Sequence, residues 1–381
     1  MKFWGYTRPD GQVGIRNHLL VISTVVCANG TAKKIADQIM GAVAITHEHG
    51  CGAHYPADVG QTHRTLVGFG KNPNVGACIV VGLGCEGVKP AKVAADIAQS
   101  GKPVACIVIQ EEGGTVNAIS RGAKVGREML EDLSRQRREE HNLEKLILAL
   151  ECGGSDTTSG IAANPAVGVA SDLLINNGGT SILSETTELV GAEHILAERA
   201  VNEEVAKQIL DVVARAETHG HNLGYNMSNL APGNRAGGLS TVEEKSLGCV
   251  HKAGSAIVQE VIDYAYIPTK QGLIIMDTPG YDVESITGMV AGGAQVVVFT
   301  TGRGTPVGCP IAPVIKVTGN TSTFQKMQDN IDINAGKIVD GVNTVQEVGE
   351  EIFAEILAVA NGKLTKAEQF ELGEFAIWRL A

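Results

Sequence analysis

A regular alternation of short apolar runs with helical patterns constrains this chain most. The runs are apolar throughout and rich in β-branched residues: 18–26 (HLLVISTVV), 42–46, 76–83 and 103–110. Helix-period segments separate them at 30–40, 56–69, 88–100 and 115–140. Strands that are apolar on both faces belong in a parallel sheet with helices covering each side. A highly charged stretch, 133–141 (LSRQRREEH), reads as a solvated helix end and a domain boundary. The pattern then restarts with a strand at 145–151 (KLILALE), a helix at 165–177, a strand at 180–184 and a long helical pattern at 191–218. Strands at 272–277 and 295–300 flank a short helix, and a helix at 345–360 lies near the end. The expected fold class is α/β: two α/β domains, 1–140 and 141–381, with mainly parallel, helix-covered sheets. Its active site is expected in Gly-rich loops at the C-terminal ends of the strands.

Composition narrows the function. The chain has 381 residues, enough for two domains, and 44% hydrophobic against 19% charged residues excludes a disordered chain. No apolar run reaches the roughly 18 residues of a membrane span. The start, MKFWGYTRPD, lacks the apolar core of a signal peptide, so a cytoplasmic location is expected. The net charge of −11 repels phosphate backbones, and 4% aromatics gives little to stack bases on. The expected partners are a small molecule and further copies of the chain, with neither nucleic acid nor membrane. Eight cysteines without an export signal read as reduced thiols, some buried and some metal-binding.

In an open α/β sheet, ligands sit beyond the carboxyl ends of the strands. The residues placed there are Cys27 and Asn29; His47, Glu48, His49, Cys51 and His54; Cys85 and Glu86; Glu111 and Glu112; Cys152 to Asp156; Asp277; and Arg303. The histidine group lacks HExxH spacing, and no CxxC pair occurs, so neither a zinc protease nor a zinc ribbon is indicated. No GxxxxGK[ST] or GxSxG motif is present, and 82–87 fits GxGxxG only loosely. Cys51, Cys85, Cys152 and Cys309 each adjoin a glycine, which permits a thiolate to face a polar pocket. Cys78 and Cys106 read as core, and Cys249 as helical packing. Asn234, Arg235, Lys245, Arg303, Lys316 and Asn320 lie near Gly-rich loops and suit carboxylate recognition.

Several long motifs then occur in order: GYTRPDGQVGIRNHLLVISTVVC (5–27), GLGCE (82–86), CGGSD (152–156), LSETTE (183–188), APGNRAGGLSTVEEKSLG (231–248), MDTPGYD (276–282), AGGAQVVVFTTGRGTPVGCPIAPVIKVTGN (291–320) and DINAG (332–336). Together they resemble the altronate dehydratase/galactarate dehydratase family, which includes the large subunit of sulfolactate sulfo-lyase. The resemblance implies a lyase that removes water from a hydroxy or sugar acid to leave a 2-keto acid, using ferrous iron. Its alternative is elimination of sulfite from (R)-sulfolactate by a large subunit acting with a small SAF-type subunit, since the chain opens directly at GYTRPDG. On this reading the metal candidates are Cys51, Cys85, Cys152 and Cys309, with His49 and Glu86 as competitors. The acid and base candidates are His47, Glu112, Asp156 and Lys245, and the substrate anchors are Asn234, Arg303, Lys316 and Asn320. Four cysteines also admit an iron–sulfur cluster in place of a single iron.

Overall fold

The computed structural model describes residues 1–52, 56–222, 224 and 229–379, so His54 and part of the polar stretch 219–238 lie outside the described residues. Its strands are β1 (Lys2–Thr7), β2 (Val13–Gly14), β3 (His18–Ser23), β4 (Ala42–Ile45), β5 (Val75–Gly82), β6 (Val104–Val108) and β7 (Glu139–Asn142) in the first part of the chain. They continue with β8 (Ile147–Cys152), β9 (Thr180–Leu183), β10 (Val258–Ile262), β11 (Gly272–Met276), β12 (Val296–Thr301), β13 (Val314–Thr318) and β14 (Ile333–Asn334). The helices are α1 (Asn29–Ala36), α2 (Pro56–Lys71), α3 (Pro90–Ala98), α4 (Thr115–Arg135), α5 (Asn164–Asn176), α6 (Glu193–Ala197), α7 (Glu203–Asn222), α8 (Pro232–Ala236), α9 (Val242–His251), α10 (Asp282–Ala291), α11 (Thr321–Lys326) and α12 (Val345–Ala360).

Two parallel sheets carry the fold. One has the order β4-β3-β5-β6, the other β10-β11-β9-β8-β12-β13-β14. Period-two alternation explains how they layer. In β3, Leu19 and Val21 face α1 and α4, whereas Leu20 and Ile22 face a second core shared with the larger sheet. That shared core also takes Phe69 of α2, Met289 of α10, and Ala149, Val297 and Phe299 of the large sheet. The far face of the large sheet packs on α5, α7, α9 and α12. The expected α/β class and the mainly parallel, helix-covered sheets are therefore present.

Some elements differ from expectation. The helical segment expected at 115–140 stops at Arg135, and β7 pairs antiparallel with β1, which also pairs with β2. Pairing across the fold, from Lys2↔Asn142 to Gly5↔Glu139, imposes the strand on a sequence that is mostly charged. The long helix expected at 191–218 is two helices, α6 and α7. The break falls where Ala200 bridges to Val258, and Asn202 then accepts from the Val205 N–H at 2.9 Å, as a helix start requires. Among the described residues, no helix is long and apolar enough to cross a membrane.

Strand order sets where loops diverge. From β8 the chain moves to β9 on one side, and from β12 to β13 on the other, although β8 and β12 are neighbours. Such a switch point opens a crevice at the C-terminal ends of the strands. The small sheet has the same arrangement at β3 and β5, but Glu86 fills it. Its carboxylate accepts from Thr24 Oγ1 at 2.8 Å, the Leu83 N–H at 2.9 Å and the Gly84 N–H at 2.6 Å.

Candidate functional site

The crevice of the large sheet holds two adjoining groups of side chains, both starting from β8. Alternation along ILALEC turns Leu148, Leu150 and Cys152 toward α5 and α9, and Ala149 toward the shared core. Glu151 is on the opposite face from Cys152 and accepts from Ser285 Oγ of α10 at 2.6 Å. The first group forms around Cys152. Its thiol lies 3.6 Å from that of Cys249 on α9, and both point at Glu188 Oε2, at 3.4 and 3.2 Å. These three donor atoms lie within 4.8 Å of one another. The other Glu188 oxygen pairs with Lys245.

A second charged pair supports this group from behind. Lys252 Nζ donates to Glu185 Oε2 at 2.5 Å with both side chains fully buried, and the same oxygen accepts from the Cys152 N–H at 3.0 Å. Glu185 takes a left-handed conformation (φ 62°, ψ 53°), which costs a non-glycine residue about 1–2 kcal/mol. Its N–H is then held by Thr278 Oγ1 at 2.7 Å. The following turn, Thr186–Glu188, delivers Glu188 to the thiols.

Charge is unevenly distributed here. Contact with Cys249 raises the Cys152 thiol, as does burial. Burial opposes a charge on Lys245, but Glu188 and the two cysteines outweigh it, so Lys245 is held above its ordinary value as a cation. Lys252 is likewise raised despite burial, through Cys152 and Glu185. Burial, then Glu185 and Glu188, push the Asp282 carboxyl up to about 7. Asp282 fits only because residue 153 is glycine: a Cβ there would lie 2.3 Å from its carboxylate.

The second group lies in the loops that follow. Asp156 Oδ1 accepts from Thr158 Oγ1 at 2.6 Å and from the Ser159 N–H at 3.0 Å, and its Oδ2 accepts from Asn320 Nδ2 at 3.3 Å. Asn234 Nδ2 donates to the Ser155 carbonyl at 3.0 Å. Arg303 Nη1 donates to the Gly233 carbonyl at 3.1 Å, and the side chain is otherwise exposed with no carboxylate partner among the described residues. Gly302 is needed because a Cβ there would meet Asp156 at 2.1 Å.

The structure thus gathers Asp156, Asn234, Arg303 and Asn320 in one loop cluster, and Cys152 and Lys245 in the adjoining one. The remaining candidates sit elsewhere. His47, Cys51, Cys85, His49 and Glu86 lie beyond the strands of the small sheet. His47 is buried with both ring nitrogens engaged: Nε2 donates to the Ser23 carbonyl at 2.8 Å, and Nδ1 accepts from the His49 N–H at 3.1 Å. Burial pulls it down to about 4, so it is neutral. Cys51 and Cys85 are exposed. Glu112 pairs with Arg121 after β6. Lys316 is buried on the shared-core face of β13, donating to the Pro306 and Val307 carbonyls at 3.1 and 2.8 Å, and burial lowers it to about 8. Cys309 packs in the shared core, where burial raises its thiol to about 11.

Glu151, Glu185, Glu188, Cys249 and Lys252 were not among the expected site residues. A signal for three group members was present. Lys245, Cys249 and Lys252 are spaced by four and three residues, which puts them on one helix face. Cys249, read as packing, is buried and also faces the carboxylate. The two thiols and one carboxylate form a compact donor set suited to iron or zinc, and unlike the all-oxygen sets of magnesium or calcium. Glu188 has one oxygen committed to Lys245 and one facing the sulfurs, so a divalent ion replacing the thiol protons would complete the group.

Residues 143–381 match the family model described as D-galactarate/altronate dehydratase, C-terminal. Residues 5–134 match D-galactarate dehydratase/altronate hydrolase, second domain. The chain is 38% identical over 382 residues to a protein of Chromohalobacter salexigens named (2R)-sulfolactate sulfo-lyase subunit beta, covering 99% of this chain and 97% of that one. It is 39% identical to galactarate dehydratase (L-threo-forming) of Escherichia coli, covering 95% and 73%. It is 34% identical to altronate dehydratase of Bacillus subtilis, covering 99% and 77%.

Proposed function

Because this chain belongs to the D-galactarate/altronate dehydratase family and is a lyase, carbon–oxygen or carbon–sulfur, we propose that it eliminates water from a sugar acid with the help of ferrous iron. The carrying observation is the Cys152–Glu188–Cys249 donor set, beside the Asp156–Asn234–Arg303–Asn320 loops at the switch point. In the reaction, the C2 proton leaves to a base and the C3 hydroxide leaves with a proton as water. The enol that remains ketonises to the 2-keto acid.

Removing a proton beside a carboxylate leaves an intermediate with two negative charges. A metal held by Cys152, Glu188 and Cys249 would supply Lewis-acid stabilisation of that charge. Arg303, exposed and free of carboxylate partners among the described residues, anchors the substrate anion. Asn234 and Asn320 fix the loop that carries Asp156. Asp156 takes the C2 proton at Oδ2, which has one hydrogen bond and acceptor capacity left. Lys245, kept charged by Glu188, gives its proton to the leaving hydroxide.

Sulfite elimination from sulfolactate is the second reading, favoured by the near-complete mutual coverage with the sulfo-lyase subunit. The same two residues would act, with sulfite leaving from C3 and a small partner subunit joining the chain. The test is 2-keto acid formation from galactarate, altronate and sulfolactate under anaerobic conditions with ferrous iron, with and without such a partner. Asp156→Asn is expected to lower kcat by about 10²–10⁴-fold at unchanged metal content. Wild-type turnover in that variant would remove Asp156 from the mechanism, and no keto acid from any of the three would overturn the reading.

A further inference from the structure

The three donor residues sit on three different elements: Cys152 at the end of β8, Glu188 in the turn after β9, and Cys249 near the C-terminal end of α9. Separate elements bring three donor atoms within 4.8 Å of one another only if something sets their spacing. Glu185 is bonded to all three segments. Its Oε2 accepts from the Cys152 N–H at 3.0 Å and from Lys252 Nζ at 2.5 Å. The Lys252 N–H donates in turn to the Cys249 carbonyl at 3.2 Å, and the Glu188 N–H donates to the Glu185 carbonyl at 2.8 Å. Each donor residue is therefore one or two hydrogen bonds from Glu185.

The backbone conformation points the same way. A φ of 62° suits glycine, yet the position carries a carboxylate. Strain of this kind persists where the surroundings over-determine it. Here Thr278 Oγ1 accepts from the Glu185 N–H at 2.7 Å, and Thr186 Oγ1 donates to Asp277 Oδ1 at 2.5 Å and faces the Thr278 carbonyl at 3.1 Å. The Glu185 and Lys252 side chains are buried to within 1%. A pair buried so completely adds little net stability over apolar side chains of similar volume. What it supplies is direction, because it fixes a strand end and a helix end against each other.

We propose that Glu185 is the positioning residue of the metal site. With Lys252 and Thr278 it sets the spacing of the Cys152 and Cys249 sulfurs and the Glu188 carboxylate. This role rests on the metal reading above, and it concerns metal affinity, not turnover. Donors held ready bind an ion without first ordering three elements, and outer hydrogen bonds of this kind change metal affinity by about 10–100-fold.

Anaerobic titration of the metal-free full chain with cobalt(II) tests this. It is read by the thiolate-to-cobalt charge-transfer band, with the thermal midpoint of the metal-free protein measured alongside. Glu185→Gln/Lys252→Met removes the ion pair without leaving a lone buried charge. The double variant is expected to stay folded, to bind cobalt about 10–100-fold more weakly and to show a weaker band. Thr278→Val frees the Glu185 N–H without touching a buried charge, and it should weaken binding in the same direction. Thr278→Ser keeps the hydroxyl and should bind as the parent protein does. Parent-like affinity and band in the folded double variant and in Thr278→Val would overturn the role of Glu185 and leave the metal site standing. A lowered thermal midpoint at parent-like affinity would do the same, since it marks a purely structural pair. No thiolate band in the parent protein, or an undiminished band in Cys249→Ser, would sink the metal reading and the positioning role with it.

Discussion

Asp282 is the residue whose environment makes the plainest pH prediction. Its carboxyl is raised to about 7 by burial and by Glu185 and Glu188. A raised carboxyl adds stability that is complete below its unfolded value of roughly 4 and lost as pH rises through the folded value. At pH 8 the folded chain therefore carries a charge that its surroundings oppose. Asp282→Asn should melt higher than the parent protein at pH 8, with the gap shrinking or reversing at pH 5. A melting difference that is the same at both pH values would contradict this account. The residue scale is also where sequence reading reached least far. Lys316 and Arg303 look alike in Gly-rich motifs, yet strand alternation buries Lys316 against backbone carbonyls and loop position exposes Arg303. Glu185 and Glu188 gave no periodic signal because a left-handed turn, and no regular element, aims them.

Elements were more legible, because apolar runs and helix periods carry their own register. The strands from β3 to β6, and β8, β9, β11 and β12, fall where the apolar runs place them. The strands missed, β1, β2, β7, β10, β13 and β14, are short, lie away from the sheet centres or were read within longer motifs, and tertiary pairing fixes them. One tether shows how an element end is stabilised. Lys102 Nζ donates to the carbonyls of Gly70, Lys71 and Asn72 at 3.3, 2.6 and 2.6 Å, capping the C-terminal end of α2. Lys102→Met should leave those acceptors unsatisfied and cost about 1–3 kcal/mol in chemical denaturation. It should leave turnover per folded molecule unchanged, since the Lys102 ammonium holds only the carbonyls of Gly70, Lys71 and Asn72 and touches neither group of site side chains. A neutral effect on stability would mean that water replaces the ammonium without penalty.

At the scale of the whole molecule, two parallel sheets share one core, and the large sheet supplies the switch point where the two groups of side chains meet. The alternating pattern already implied two helix-covered sheets and a site beyond their strand ends. Which of several equivalent strand ends carries the chemistry depended on tertiary contact: Glu86 closes one crevice, while Cys152 and Asp156 furnish the other. The central claim is that Cys152, Glu188 and Cys249 hold the metal. Its most direct test is iron and acid-labile sulfide analysis of anaerobically prepared parent protein and Cys249→Ser, with thermal midpoints measured alongside. We expect about one iron per chain without sulfide in the parent protein, and a sharp loss of iron in a folded Cys249→Ser protein. Full iron content in the folded variant would place the metal elsewhere and contradict the account.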